Sequence, residues 1–201
     1  GAALFGLVTG TVANAGGFYW ISSMLRDFTG FPSWLNGLLT LLLCAQQGLV
    51  FLVFAALGRV ATRHWGVARW LAYPAAMAVA EWTIPMIFKW YFGNSQWLFH
   101  AFVQSAEIWG PIGISVLLAA ASVGVIEAVL AMRTRSRAST LAAAGIAMLL
   151  LANVVYGMVR IRAVDARAAS AETVRVGMVE ADVGIYEKTD PEHFRNNLLI
   201  H

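Results

Sequence analysis

The sequence predicts an all-α membrane protein, in which a bundle of five transmembrane helices is followed by the first strand and helix of an α/β domain. Composition gives the first two observations. Hydrophobic residues make up 59% of the chain and charged residues only 12%, whereas soluble domains average about 25% charged residues. Mean hydropathy is +0.67. The third observation is that long uncharged stretches recur over residues 1–160, so lipid rather than water surrounds this part of the chain.

Five stretches are long and apolar enough to cross a hydrocarbon core of about 30 Å, which takes roughly 20 helical residues. They lie near residues 1–25, 33–57, 71–88, 108–132 and 138–159. The first and the last contain no charged residue. Lipid offers no partners for backbone polar groups, so segments that cross it must be helical. We therefore expect a transmembrane helical domain over residues 1–160.

The composition changes after the fifth stretch. Residues 161–172 are rich in Ala, Arg and Asp, and they predict a short linker or a helical extension. Val174, Val176 and Met178 then alternate with other residues, which is the pattern of a strand over Thr173–Val183. A strand here begins a second, soluble domain.

A helix start follows the predicted strand. In Thr189-Asp190-Pro191-Glu192, a capping residue precedes a proline and an early acid. Proline is favoured at the first position of a helix, and acids are favoured in the first turn. The sequence therefore predicts a helix from this point, and residues 173–201 are assigned to the start of the soluble domain.

Arginines are concentrated in two of the short loops between the predicted helices. These loops carry six arginines and no acid: Arg59, Arg63, Arg69, Arg133, Arg135 and Arg137. In the two short loops of the opposite set, only Arg26 and Lys89 are basic. Short loops rich in Lys and Arg stay in the cytoplasm, whereas long domains translocate largely regardless of charge. We therefore expect the arginine-rich loops inside and the soluble domain outside.

The segment between the third and fourth predicted helices is both aromatic and polar. With the acid of the preceding helix it supplies the candidate lipid- or substrate-binding residues: Glu81, Trp90, Asn94, Ser95, Gln96, Gln104 and Glu107. A carboxylate at mid-span is costly, so Glu81 is interpreted either as functional or as a carboxyl that hydrogen-bonds neighbouring helices together. Trp90, Tyr91 and Trp97 are also typical of interfacial anchors.

Two further residues are given structural interpretations. Glu127 precedes Arg133 by a few residues and is interpreted as an interfacial acid that reaches water. Cys44, the single cysteine, lies in an apolar run without a basic neighbour, so we interpret it as a packing residue. One cysteine excludes an internal disulfide and a multi-thiolate metal site. We expect no cofactor, no metal ion and no nucleic-acid partner.

Short motifs occur in an order that is more specific than any one of them. They are Phe18-Tyr19-Trp20-Ile21, Ala80-Glu81-Trp82, Phe88-Lys89-Trp90-Tyr91-Phe92-Gly93-Asn94-Ser95-Gln96, Gln104-Ser105-Ala106-Glu107-Ile108-Trp109-Gly110-Pro111-Ile112-Gly113-Ile114-Ser115, and Val176-Gly177-Met178-Val179-Glu180-Ala181-Asp182 with Lys188 and Asp190. In this order they resemble the bacterial apolipoprotein N-acyltransferase family. The chain departs from the family pattern at Lys89, where Pro is usual, at Asn94, where Tyr is common, and at Thr189, where an aromatic is usual.

The resemblance implies a multi-pass enzyme of the bacterial inner membrane. Such proteins have eight membrane helices and an extracytoplasmic nitrilase-like (carbon-nitrogen hydrolase) αββα domain inserted before the last helix. Residues 173–201 would be the truncated start of that domain. The family moves an acyl chain from a membrane phospholipid onto a Cys as a thioester, and then onto the N-terminal diacylglyceryl-cysteine of a lipoprotein. Its Glu, Lys and Cys triad would lie beyond His201, so no catalytic residue is expected in this chain and the chain alone should be inactive.

Two other function classes stay open. One is a non-catalytic membrane scaffold of the same family, which would lack the downstream Glu, Lys and Cys. The other is a transporter, which Glu81 and Glu127 suggest but which requires paired charges or repeated broken helices, and no repeat is visible. The expected partners are the lipid bilayer, a phospholipid acyl donor and a diacylglyceryl lipoprotein acceptor.

Overall fold

The computed structural model describes residues 1–178, and the regular structure within them is entirely helical. The elements are α1 Ala2–Phe18, α2 Trp20–Thr29, α3 Ser33–Arg63, α4 Arg69–Thr83, a 3-10 helix Phe92–Gln96, α5 His100–Val103, α6 Ala106–Thr134 and α7 Arg137–Ala169. Gly1–Asp165 form one compact unit. This unit contains nearly all of the helices, so the predicted all-α class is confirmed for it.

Three of the described helices are long and apolar enough to cross a membrane, judged by length and composition. They are α3, α6 and α7, with 31, 29 and 33 residues. α1 is also apolar but has 17 residues, and α4 has 15. Large apolar side chains such as Phe5 and Leu141 are about three-quarters exposed on the helix surfaces, as lipid contact requires. The structure therefore supports a helical membrane domain, while the count of five spanning helices stays a prediction.

The third predicted span is wrong at its C-terminal end. α4 ends at Thr83 instead of continuing to Phe88. Pro85 disfavours helical backbone at the residue before it, and Ile84 accordingly is extended, with φ −82° and ψ 118°. Residues 84–91 therefore form an irregular segment between α4 and the 3-10 helix.

Two other boundaries differ from the sequence prediction. The first predicted span, 1–25, consists of two consecutive helices, α1 and α2, which meet at Tyr19. The last helix, α7, continues to Ala169, so the helical extension rather than a linker occupies most of residues 161–172.

The soluble domain stays a prediction. The predicted strand Thr173–Val183 lies partly outside the described residues, and positions 172–178 carry no regular structure. The helix predicted from Thr189 lies wholly outside them.

α3 is the central helix, since it packs against α1, α2 and α4, and α4 in turn packs against α6. Small residues allow the closest approach: a Cβ at Gly48 of α3 would lie only 2.9 Å from the backbone nitrogen of Thr11 in α1. Val50, Met77 and Ala119 form the core between α3, α4 and α6. This core holds the end of α4, and hence Glu81, at a fixed position.

Candidate functional site

Glu81 lies in the last turn of α4 and joins three separate parts of the chain. Its Oε1 accepts a hydrogen bond from the backbone N–H of Phe92, at 2.6 Å, and another from the Ser115 hydroxyl of α6, at 2.9 Å. The Glu81 residue is only 4% exposed. Its second oxygen, Oε2, is buried without a hydrogen-bond partner among the described residues. The carboxyl therefore fixes the 3-10 helix against α4 and α6.

Ser115 completes this arrangement from α6. Its hydroxyl oxygen accepts a hydrogen bond from the backbone N–H of Gly93, at 2.8 Å. A Cβ at Gly93 would lie 2.8 Å from the Cβ of Ile114 and 2.9 Å from the Ser115 backbone nitrogen, so no larger residue fits there without movement. The 3-10 helix therefore rests directly on the backbone of α6.

Two glutamines of α3 hold the irregular segment that follows α4. Gln46 Nε2 donates to the carbonyl of Pro85, and Gln47 Nε2 donates to the carbonyl of Phe88, the latter at 2.8 Å. Carbonyls outside regular helices also need hydrogen-bond partners in a membrane domain. The two glutamines supply partners to two carbonyls of this segment and so fix it against α3.

Three cavities surround the residues held in this way. The largest, the Trp90 cleft, has a volume of about 520 Å³ and is lined by Trp90, Gly93, Asn94, Trp97, Val103, Ala106, Pro111 and Ile114. A second groove of about 500 Å³ lies beside α1 and α2, and it includes Asn14, Lys89 and Trp90. A third cavity of about 130 Å³ contains Glu81, Gln47 and Ser95. Trp90 lines all three cavities.

α6 bends where it borders the Trp90 cleft. Gly110 has φ 67°, which only glycine adopts readily, and Pro111 follows it. The break displaces the first turn of α6 from the rest of the helix, and the cleft opens beside this break. Mostly apolar walls with a few polar groups are the usual composition of a site that binds a small or lipid-like ligand.

The structure brings some of the predicted site residues together and places others elsewhere. Glu81, Trp90 and Ser95 share the small cavity, and Trp90 and Asn94 share the cleft. The Gln96 side chain donates to Ser95 Oγ at 3.2 Å on the outer side of the 3-10 helix. Gln104 is partly buried at the turn between α5 and α6.

Glu107 has a partner that sequence analysis did not predict. Its carboxylate accepts hydrogen bonds from the Tyr156 hydroxyl, at 2.5 Å, and from Arg160 Nε, at 2.6 Å. Both partners lie on α7, so this acid connects the start of α6 to α7. The assignment of Glu107 to ligand binding stays a prediction.

The interpretation of Glu127 as an acid that reaches water is wrong. Glu127 is 4% exposed, and its Oε1 accepts a hydrogen bond from Arg69 Nε at 2.8 Å. The two residues lie at the end of α6 and the start of α4, which are adjacent because the helices are antiparallel. Arg69 is 58 positions away in the chain, so sequence proximity to Arg133 suggested the wrong environment.

Sequence analysis missed Asn14, Gln46, Gln47 and Ser115, although each is a polar residue within an apolar stretch. That signal was available, because buried polar side chains in membrane helices are retained for hydrogen bonds or function. Cys44 is fully buried in α3, in agreement with its interpretation as a packing residue. Among the described residues, the site therefore offers binding surfaces and hydrogen bonds but no accessible thiol nucleophile.

The fold and the cleft together define a helical membrane protein with a mostly apolar cleft beside a broken helix. The model of the apolipoprotein N-acyltransferase N-terminal domain matches residues 1–124, so the chain belongs to the apolipoprotein N-acyltransferase family. An apolipoprotein N-acyltransferase from Chromobacterium violaceum is 27% identical over 98% of this chain. The chain spans 37% of the length of that relative. No solved structure matches.

Proposed function

We propose that this chain is the membrane part of an enzyme that transfers an acyl chain from a phospholipid to the N-terminal diacylglyceryl-cysteine of lipoproteins. In this proposal the acyl group is carried as a thioester on a Cys outside residues 1–201, together with a Glu general base and a Lys that stabilises the oxyanion. The membrane helices hold the acylated substrates beside that active site. Family membership over residues 1–124 supports the reaction class.

The Trp90 cleft is the observation that carries the proposal. Its volume of about 520 Å³ falls in the range of ligand pockets, roughly 300–1,000 Å³, and its walls are mainly apolar. Asn94 places a polar group in the wall, and Trp97 is 64% exposed at the rim. An acyl chain can lie against the apolar wall while its ester remains near the polar groups.

Glu81 acts in this proposal as a positioning residue. It binds the backbone of Phe92 and the side chain of Ser115, so it holds the 3-10 helix that forms one wall of the cleft. Its effect on substrates is therefore indirect, through the shape of the cleft.

The cleft faces the outer side of the membrane in this proposal. The arginine-rich loops 59–69 and 133–137 lie at the opposite ends of α4 and α6 from the 3-10 helix. Short arginine-rich loops stay in the cytoplasm. The cleft then opens on the side to which a domain following α7 would be translocated.

The test uses the complete protein and two acyl donors, a phospholipid and a small water-soluble acyl ester. Trp97→Ala removes an exposed indole from the cleft, and we expect kcat/KM with phospholipid to fall about tenfold, which corresponds to about 1.4 kcal/mol. The soluble donor should be used at nearly the wild-type rate. Trp65→Ala is the matched control, because Trp65 is 68% exposed in the loop between α3 and α4. Equal losses with both donors would exclude a lipid-binding role for the cleft.

A further inference from the structure

A further large groove, distinct from the three cavities around Trp90, lies between α4, α6 and α7, at the other end of α4 from Glu81. Its volume is about 550 Å³. Apolar and small residues line it: Trp70, Leu71, Pro74, Val116, Leu117, Ala120, Ala138, Leu141, Ala142, Gly145, Ile146 and Leu149. None of these residues lines the Trp90 cleft, so the two sites are separate.

The length of the groove along α7 is close to the thickness of the hydrocarbon part of one bilayer leaflet. Its α7 wall runs from Ala138 to Leu149, and eleven residue steps at 1.5 Å each give about 17 Å. Half of a hydrocarbon core of about 30 Å is about 15 Å. A single acyl chain of a lipid in this leaflet can therefore extend along the groove.

Arginines surround the end of the groove where α4 and α7 begin. Arg69 directly precedes Trp70, and Arg137 directly precedes Ala138. Arg133 lies in the last turn of α6, and Arg135 lies between α6 and α7. Arg69 is neutralised by the buried acid of α6 at 2.8 Å. Residues 128–137 contain no acid, and the three other arginines are exposed.

Helix ends of both polarities meet at this end of the groove. α4 and α7 begin there, because Trp70 and Leu71 line it together with Ala138 and Leu141, whereas α6 ends nearby at Thr134. Helix N-termini carry partial positive charge and helix C-termini carry partial negative charge. The positive charge at this end of the apolar groove therefore comes from the arginines, with no acid in residues 128–137.

We propose that this groove binds a phospholipid with an anionic head group, from the leaflet on the arginine side. One acyl chain lies along α7, and the head group lies among Arg133, Arg135 and Arg137. Basic sites between transmembrane helices favour anionic lipids because each nearby arginine adds electrostatic attraction. A zwitterionic lipid fills the same groove but gains little from the arginines. The bound lipid stabilises the contact of α7 with α4 and α6.

The first experiment compares lipids of equal chain length on the complete protein in detergent. We expect phosphatidylglycerol to raise the thermal unfolding midpoint by several degrees more than phosphatidylcholine, and we expect high salt to reduce the difference. The triple variant Arg133→Gln/Arg135→Gln/Arg137→Gln should lose the difference. Arg162→Gln, at the other end of α7, should keep it. Equal effects of the two lipids on the wild type, or a difference that persists in the triple variant, would overturn the proposal.

The second experiment tests the groove itself. A Cβ at Gly145 meets nothing within 4 Å, so Gly145→Leu fills the groove without a clash and should abolish the preference for phosphatidylglycerol. Gly16→Leu, at an equally open position of α1, is the control. Phosphatidylglycerol with a photoreactive acyl chain should label residues 138–149 of the wild type. Absence of that label, which is the result expected if another protein segment occupies the groove, would overturn the proposal. This measurement uses the wild type, so it does not depend on whether the variants fold.

Discussion

Replacement of Glu81 tests whether the carboxyl acts through its hydrogen bonds or through its charge. Oε1 accepts two hydrogen bonds, from Phe92 N and Ser115 Oγ, whereas Oε2 has no partner among the described residues. In Glu81→Gln the amide oxygen can replace Oε1 and the NH₂ group can replace Oε2. The NH₂ group would be buried without an acceptor among the described residues, while the loss of a buried charge offsets part of that cost. We therefore expect Glu81→Gln to lower the free energy of unfolding by about 1 kcal/mol, the lower end of the cost of an unsatisfied buried donor.

Glu81→Ala should be far more costly. It removes the acceptor of both hydrogen bonds and leaves the Phe92 N–H and the Ser115 hydroxyl without this partner. Each buried donor left unsatisfied costs about 1–3 kcal/mol, so the expected loss for the two donors is about 2–6 kcal/mol. The complete protein should also lose turnover with phospholipid, because the 3-10 helix that forms the cleft wall is no longer held.

The measurement is equilibrium unfolding in detergent, combined with hydrogen exchange of the Phe92–Gln96 amides. Glu81→Ala should accelerate exchange there, and Glu81→Gln should leave it nearly unchanged. Glu172→Ala, which removes an exposed acid, serves as the control for net charge. Ser115→Ala together with Glu81→Ala should cost less than the sum of the single changes, because the two residues share one hydrogen-bond network. A Glu81→Gln variant that is stable but inactive would refute this reasoning and assign a direct role to the charge.

Three further predictions concern packing, reactivity and topology. In an equilibrium unfolding assay, Gly157→Ala should destabilise the protein, because the new Cβ would overlap the carbonyl of Ala101. This effect opposes the usual helix preference for Ala over Gly of about 1 kcal/mol. Gly16→Ala, at an open position, is the control and should be neutral or stabilising. A labelled phospholipid should not acylate the 201-residue chain, since Cys44 is fully buried, and label on that thiol would contradict the packing interpretation. An alkaline phosphatase reporter fused after His201 should be active, and a cytoplasmic fluorescent reporter at the same point should be dark. The opposite result would show that the predicted count of five spanning helices is off by one.

The long helices could be predicted from sequence because their signal is local. α3, α6 and α7 appear where uncharged stretches exceed the length needed to cross a bilayer. The helix break after Thr83 could also have been found, since Pro85 disfavours helical backbone at Ile84 without any tertiary contact.

The candidate site was only partly predictable. Glu81 stood out because an acid within an apolar stretch is rare, yet its partners, Phe92 and Ser115, are 11 and 34 positions away. Nothing in the sequence near Glu107 indicated Arg160, and nothing near Glu127 indicated Arg69. Pairings of this kind depend on which helix faces are adjacent.

The sequence by itself determined that lipid surrounds most of this chain and where its long helices lie. The order of short motifs also determined its family. These properties follow from hydrophobicity, length and local residue pattern, each of which is written along the chain. Only the tertiary structure decided that Glu81 holds the 3-10 helix, that Glu107 and Glu127 are ion-paired, and that the Trp90 cleft is separate from the groove between α4, α6 and α7. The physical reason is that hydrogen bonds and ion pairs form between groups a few ångströms apart, and helix packing brings together residues that the sequence separates by dozens of positions.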